Sequence, residues 1–349
     1  MLSLKRFMRA LFDATRLVVG LVVYFLTKKT PPFSYQSMIG LFCVTRGYSN
    51  DVLSWLIGLF KKPVKIVNAD GVLGRMSDPA LREPIVKDLR ERGYHVFEKP
   101  LPDTLCEALL KFATSQPCKT RLMDGQKLGK PTDIVYHRGS PQAVRYDFNI
   151  QDLLQNSDIQ TLLSDMSFAS VAQDYLGTRP VIDVMGMWWH TDFSEVPDSE
   201  AAQYFHFDMD RPKWLKFFIY LTDVETTNGP HSFIAKSHKT RGIPANLLRR
   251  GYARLTDKEI AENFDKNNVI EFNAPRGTII AEDTRGLHKG KHVSKGDRLV
   301  LQLQFSNSLF GGYYPKAKFS SQLSDALKQN VKLYPWLYAA YINTGEEEC

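Results

Sequence analysis

The sequence predicts an α+β fold that is mainly β in its second half, with helices flanking the strands. Residues 213–224 alternate Trp214, Lys216, Phe218 and Tyr220 on one face with Leu215, Phe217, Ile219 and Leu221 on the other, which implies burial on both sides, as in a sandwich. The run from Arg298 to Phe305 behaves likewise, with Arg298, Val300, Gln302 and Gln304 opposite Leu299, Leu301, Leu303 and Phe305. Helical patterns occupy residues 78–92, 102–113 and 158–176 ahead of these strands and recur in the tail. At 349 residues and 43% hydrophobic content the chain can bury one large core with extensions, or two modest ones.

The first 65 residues stand apart by charge. They carry ten Lys or Arg against Asp13 and Asp51, a surplus of eight, so a formal net charge of +7 leaves the rest of the chain at −1. A pI near 9.0 therefore reflects the N-terminal segment, and the remainder has no basic stripe of the kind nucleic-acid binding needs. At 100° per residue Lys5, Arg9 and Arg16 fall within about 40° of one another, while Phe7, Met8, Leu11, Phe12, Leu17, Val18, Leu21, Val22 and Phe25 cover most of the remaining helix surface. A cationic stripe on an apolar helix suits a membrane surface, and residues 17–27 form an uncharged run too short to span by itself. The same pattern also fits a helical layer packed on the protein's own core. A secretory signal is disfavoured, because no small-x-small cleavage site follows before Pro31-Pro32. The expectation is residues 1–65 as a basic, amphipathic, membrane-associating segment on the cytoplasmic face of a membrane.

Globular composition begins near Ile66. Asp78-Pro79 starts a helix that Gly93 ends, residues 94–98 read as a strand, and Pro102-Asp103 opens the next helix. Residues 114–139 are polar and aperiodic, a loop that can either fold over a site or lie inert. A single helix is expected over 158–176 and a buried strand over 180–190, in which Gly186 marks a close approach of backbone. Two helical patterns, 244–250 and 256–264, make residues 241–268 an insertion. The main domain then spans 66–312, and residues 313–349 form a helical tail whose Tyr334, Trp336, Tyr338 and Tyr341 suit packing or an oligomer contact. Cys43, Cys106, Cys118 and Cys349 are scattered without metal-type spacing, which fits a reducing compartment.

The chemistry centres on His206-Phe207-Asp208. Residues two apart on a strand share a face, so an imidazole and a carboxylate can enter one cavity as two of the three ligands of a 2-His-1-carboxylate iron site. Such a pair is common by chance, and a second histidine is required. His288 follows an apolar strand and a polar corner, and ten residues later Arg298 heads the last strand. A buried dicarboxylate needs a permanent planar cation, which guanidinium supplies better than ammonium. Taken alone, Arg298 reads better as a strand-edge arginine in a surface ion pair; the four groups in this order and spacing favour the site.

These residues, with the 215–224 strand, Asn228-Gly229-Pro230-His231, Lys236-Ser237-His238-Lys239 and, more weakly, Arg92-Gly93-Tyr94 and Ala172-Gln173-Asp174-Tyr175-Leu176-Gly177, make the chain resemble the phytanoyl-CoA dioxygenase family of Fe(II)/2-oxoglutarate oxygenases over roughly residues 80 to 310. The resemblance implies a double-stranded β-helix (jelly-roll, cupin-like) core. It implies iron on His206, Asp208 and His288 and 2-oxoglutarate on Arg298, with oxygen as cosubstrate and ascorbate as reductant. It leaves His231 and His238 outside the ligand set. Gln203 is a further 2-oxoglutarate ligand by resemblance, although strand parity sets it opposite His206 and a bulge would be needed. Related halogenases carry a small residue at the carboxylate position. Asp208 is kept here, which favours hydroxylation of a small-molecule, lipid or lipid-linked glycan substrate with release of succinate and carbon dioxide. Desaturation, cyclisation or epimerisation at the same metal, or a jelly roll that only binds, are the alternatives. The C-terminal Glu346-Glu347-Glu348-Cys349 carries no peroxisomal or prenylation signal, an expectation against an organelle phytanoyl-CoA enzyme.

Overall fold

The computed structural model describes residues 4–121, 133–319 and 322–342. Helices α1 (Leu4–Thr27), α2 (Pro32–Thr45) and α3 (Tyr48–Phe60) come first, followed by a short hairpin of β1 (Asp70–Gly71) and β2 (Gly74–Arg75). Next are α4 (Pro79–Glu91), β3 (Tyr94–Phe97), α5 (Asp103–Ser115), β4 (Cys118–Arg121), β5 (Asp133–Ile134) and β6 (Arg145–Phe148). Three helices, α6 (Ile150–Gln155), α7 (Ser157–Ser164) and α8 (Met166–Leu176), lead into β7 (Val181–Thr191) and β8 (Trp214–Tyr220). After β9 (His231–Ile234) come α9 (Ala245–Leu248), α10 (Asp257–Asn263), β10 (Val269–Glu271), β11 (Ile279–Glu282), β12 (His288–Gly290) and β13 (Asp297–Ser306). A parallel pair, β14 (Ala317–Lys318) and β15 (Tyr341–Ile342), brackets α11 (Asp325–Leu333).

The strands form two sheets, one face of each turned to the other. The larger is antiparallel in the order β3-β11-β8-β13-β7-β6-β4-β5, and the smaller is β10-β9-β12, extended by bridges from His206 to His288 and from Phe205 to Leu255. This is the expected jelly roll. The two-sided burial read from β8 holds residue by residue. Leu215, Phe217, Ile219 and Leu221 join the core between the large sheet and α5–α8, where Phe217 meets Phe168 and Phe305 edge-on at 5.0 and 5.6 Å. Trp214, Lys216, Phe218 and Tyr220 are buried on the other face, toward the small sheet. Truncating Phe217 to alanine costs about 3–5 kcal/mol on this packing. Tyr334, Tyr338 and Tyr341 of the tail pack into the same core; the Tyr338 hydroxyl donates to Leu163 C=O at 2.8 Å. Residues 343–349, the acidic end of that tail, lie outside the described residues, as does the 122–132 stretch of the polar loop.

Three local expectations change. The helix predicted over 158–176 is two helices broken at Asp165, whose carboxylate accepts from Ser167 N–H at 2.9 Å and from Val72 N–H at 2.6 Å. A capping aspartate that also anchors a distant loop outweighs helical periodicity. Gly186 faces no close backbone; a Cβ there would make ordinary contact with Trp188 at 3.6 Å. The N-terminal residues divide in role: α2 and α3 pack Met38, Phe42 and Leu53 against Phe205, Phe207, Met209 and Phe310, whereas α1 exposes a run of apolar side chains. The α1 and α2 backbones cross closely at Gly20, where a Cβ would overlap Ser34.

Candidate metal centre and cosubstrate pocket

Backbone pairing brings the two histidines together. His206 N–H donates to His288 C=O at 2.9 Å and His288 N–H returns the bond at 2.8 Å, so residues 82 apart in sequence hold their rings 4.3 Å apart between centroids. Each imidazole is oriented alike. His206 Nδ1 lies 2.9 Å from Tyr204 C=O, and His288 Nδ1 3.0 Å from Gly286 C=O. A carbonyl only accepts, so the proton is on Nδ1 and the Nε2 lone pair of both rings is free for a metal. Asp208 completes the set, with Oδ1 3.7 Å from His206 Nε2 and Oδ2 3.4 Å from His288 Nε2. The three donor atoms all lie within 4.8 Å of one another. Two nitrogens and a carboxylate suit Fe(II) and leave positions for other ligands.

Beneath Asp208 lies a cation. Lys216 Nζ donates to Asp208 Oδ2 at 2.5 Å and sits 3.3 Å from Asp210 Oδ2. Burial alone would raise the Asp208 carboxyl, but the Lys216 ammonium and the two imidazoles outweigh it and hold Asp208 well below the usual carboxylate range. Burial would lower Lys216, and the two carboxylates reverse this, keeping it charged. Burial, then His288, pushes His206 well below its usual range.

Arg298 stands across a cavity of about 740 Å³ that the metal ligands also line. It is 2% exposed; its Nη2 donates to His190 Nδ1 at 2.8 Å, while among the described residues Nε and Nη1 find no hydrogen-bond partner. The neighbouring Tyr220 hydroxyl, which donates to Phe272 C=O and accepts from His231 N–H, also interacts with the Arg298 guanidinium. Two unpaired nitrogens of a buried guanidinium call for an anion. Gly290 leaves space for it, since a Cβ there would come 2.8 Å from Arg298 Nη2. The donor set and this orphaned cation fit iron and 2-oxoglutarate.

The family comparison points the same way. Residues 89–300 match the family model described as phytanoyl-CoA dioxygenase (PhyH). The chain belongs to the phytanoyl-CoA dioxygenase family. It is a dioxygenase-type enzyme that uses iron and 2-oxoglutarate. Among solved structures it is similar to the non-haem α-ketoglutarate-dependent carbocyclase SnoK of nogalamycin biosynthesis (13% identity, 64% of this chain and 83% of that one, TM-score 0.45). It is similar also to the epimerase SnoN of the same biosynthesis (16%, 66% and 84%, TM-score 0.47) and to EctD from S. alaskensis (18%, 70% and 80%, TM-score 0.45). No curated protein matches the chain.

Within this dioxygenase the remaining expected residues sort by geometry. Gln302 lines the cavity beside Arg298, as strand parity implies. Gln203 does not line it: the residue is buried in the loop before His206, and its Oε1 accepts from Asp198 N–H at 2.7 Å, so no bulge turns it inward. His238 lies apart, 3.3 Å from Arg90 C=O. The 241–268 insertion is absent from the cavity lining; Leu247 and Leu248 pack beside α2, while Leu255 bridges to Phe205 and Tyr252 packs on Phe207, next to the metal ligands. Several polar groups of the cavity escaped sequence reasoning, among them His190, Arg145, His231 and Lys216. His231 lines it, with Nε2 2.9 Å from the fully buried Glu282 carboxylate, and Lys216 underlies the iron ligand. A lysine in the middle of a strand buried on both faces was the available signal for Lys216. His231 had none, because only the β9–β12 register sets it opposite Gly290.

Proposed function

We propose that this dioxygenase hydroxylates an unactivated C–H bond of an amphipathic, lipid-type substrate taken from the cytoplasmic surface of a membrane, consuming oxygen and 2-oxoglutarate and releasing succinate and carbon dioxide. The observation that carries the reaction is the orphaned Arg298 guanidinium sharing one cavity with the three metal donors. When bound, iron and 2-oxoglutarate supply the oxidising chemistry, with ascorbate as the external reductant. His206, Asp208 and His288 hold the metal, and the kept carboxylate of Asp208 occupies the position that halogenation needs open. Arg298 pairs with the distal carboxylate of the cosubstrate, and the Lys216 ammonium fixes the Asp208 carboxylate. Phe218, Trp188 and Met187 give the cavity apolar walls that suit a hydrocarbon and exclude water.

The membrane part of the reading rests on α1 and α3. Phe7, Leu11, Phe12, Val18, Val22 and Phe25 are each more than half exposed on one face of α1, as are Trp55 and Phe60 on α3. Exposed apolar surface this continuous marks an interaction site. A 22-residue window, Arg6–Thr27, has the length and composition of a span, but α1 folds back against α2, which favours lying in the interface. The turn between them touches the cavity rim, since Thr30 Oγ1 accepts from Gly311 N–H at 3.0 Å and Tyr314, three residues on, lines the cavity.

Detergent-purified protein supplied with Fe(II), 2-oxoglutarate and ascorbate is expected to form succinate, and His206→Ala to abolish it. Arg298→Lys removes a planar contact on a buried anion, so the KM for 2-oxoglutarate is expected to rise about 10- to 100-fold. A product two hydrogens lighter than the substrate would replace hydroxylation with desaturation. Failure of 2-oxoglutarate to bind at all would leave a jelly roll that only binds.

A further inference from the structure

We propose that a basic cleft between α1, α2 and the 241–268 insertion binds the phosphate headgroup of an anionic membrane lipid, an inference that rests on the membrane reading above. Four arginines line this cleft of about 370 Å³: Arg6 and Arg9 from α1, Arg46 at the C-terminal end of α2, and Arg249 from the insertion. Among the described residues no carboxylate lines it. Asp13 sits beside it, with Oδ1 accepting from the Ser37 hydroxyl at 3.0 Å and Oδ2 pairing with Arg9 Nε at 4.0 Å. Arg46 donates Nη2 to Arg241 C=O at 2.7 Å and Nε to Ile243 C=O at 3.3 Å, which orients its guanidinium and ties the insertion to α2 without cancelling the charge. Arg9, with a side chain 78% exposed, faces solvent beside them.

Four guanidinium groups around one cleft, set against the Asp13 carboxylate, leave a surplus of positive charge that suits a phosphate, which a guanidinium can meet with paired N–H donors. The surroundings select a lipid over a free anion. Ile39, Val44 and Leu248 give the cleft an apolar floor, and Arg6 and Arg9 flank Phe7 and Met8, both 56% exposed on the outer face of α1. With that face at the acyl boundary, the arginines sit at headgroup depth. This assigns the insertion a membrane role.

The test is cosedimentation of the full chain with neutral phosphatidylcholine vesicles and with vesicles containing phosphatidylglycerol. Wild type is expected to bind both and to prefer the anionic vesicles. The pair Arg9→Gln/Arg249→Gln, its fold checked by thermal melting, is expected to weaken anionic binding about tenfold while keeping neutral binding. A control that removes equal charge elsewhere on the layer, Lys28→Gln/Lys29→Gln, is expected to keep the preference. Retention of the preference by the arginine pair, or equal loss in the lysine pair, overturns the cleft and leaves the membrane reading standing. Competition by millimolar inorganic phosphate that abolishes the preference points to a free anion and overturns the lipid assignment. Absence of wild-type binding to either vesicle ends both, and Phe7→Ser/Leu11→Ser losing both kinds of binding attributes the neutral component to α1.

Discussion

Lys216 carries a charge that two carboxylates share, and its removal separates the needs of the fold from those of the metal. Lys216→Met leaves Asp208 and Asp210 without their buried cation, which is expected to lower the metal-free unfolding free energy by about 3 kcal/mol or more. A divalent ion supplies the missing charge, so Mn(II) should stabilise the variant more than wild type in urea unfolding. Equal gains would show that lysine and metal do not compete for Asp208. A second residue senses pH away from the metal. Burial, helped by the Arg285 guanidinium and opposed by Asp283, brings the His238 imidazole down from 6.5 to about 4. The folded state then binds fewer protons than the unfolded chain between these values. The associated stability is present above about pH 6.5 and is lost as pH falls toward 4, by up to ~3 kcal/mol. His238→Gln keeps a donor for Arg90 C=O and should flatten that part of the unfolding profile; an unchanged slope would assign the acid sensitivity to other buried histidines.

At the scale of elements, the site depends on a strand and a corner meeting in register. Gly286 closes that corner: its carbonyl orients His288, and a Cβ at this position would meet the Phe233 ring and the Ser237 hydroxyl at 2.7 Å. Gly286→Ala is therefore expected to destabilise by about 1–3 kcal/mol and to weaken Mn(II) binding by at least about tenfold, because the displaced carbonyl frees the imidazole. Calorimetric titration checks this, and an unperturbed affinity would mean that the corner relaxes without turning His288. The break at Asp165 follows the same logic. A side chain that bonds both its own helix and a loop some ninety residues earlier decides where a helix ends.

For the whole molecule, the N-terminal layer divides into an exposed apolar helix, α1, which the proposed reading sets against lipid, and a part that packs on the barrel. Phe42 packs on Phe207 with ring centroids 5.1 Å apart, between the ligands His206 and Asp208 in sequence, so α2 buttresses the iron site from behind. Removing residues 1–28 is expected to abolish vesicle binding and preserve Mn(II) binding. Removing 1–65 withdraws Met38, Phe42 and Leu53 as well, each contributing about 1.5–3 kcal/mol of burial, and should abolish Mn(II) binding too. Thermal melting and metal titration of the two truncations distinguish these outcomes; metal binding by the shorter chain would make the layer dispensable to the site.

What the sequence alone determined is what local periodicity encodes. The period of two along β8 put Lys216 and Phe218 on one face, that along β13 put Gln302 on the face of Arg298, and the His206-x-Asp208 spacing put two metal donors on one side of the chain. Capping residues likewise set α4 between Asp78 and Gly93. Tertiary structure decided which of these faces met. The bridge that joins His206 to His288, the bond of Arg298 to His190, the pairing of Lys216 with Asp208 and the approach of His231 to Glu282 all depend on register between strands distant in sequence. The same holds for Gln203, kept out of the cavity by its bond to Asp198, and for the insertion, drawn toward α2 by Arg46. Periodicity tells a side chain which way to face, but its partner is fixed by packing that no local window contains.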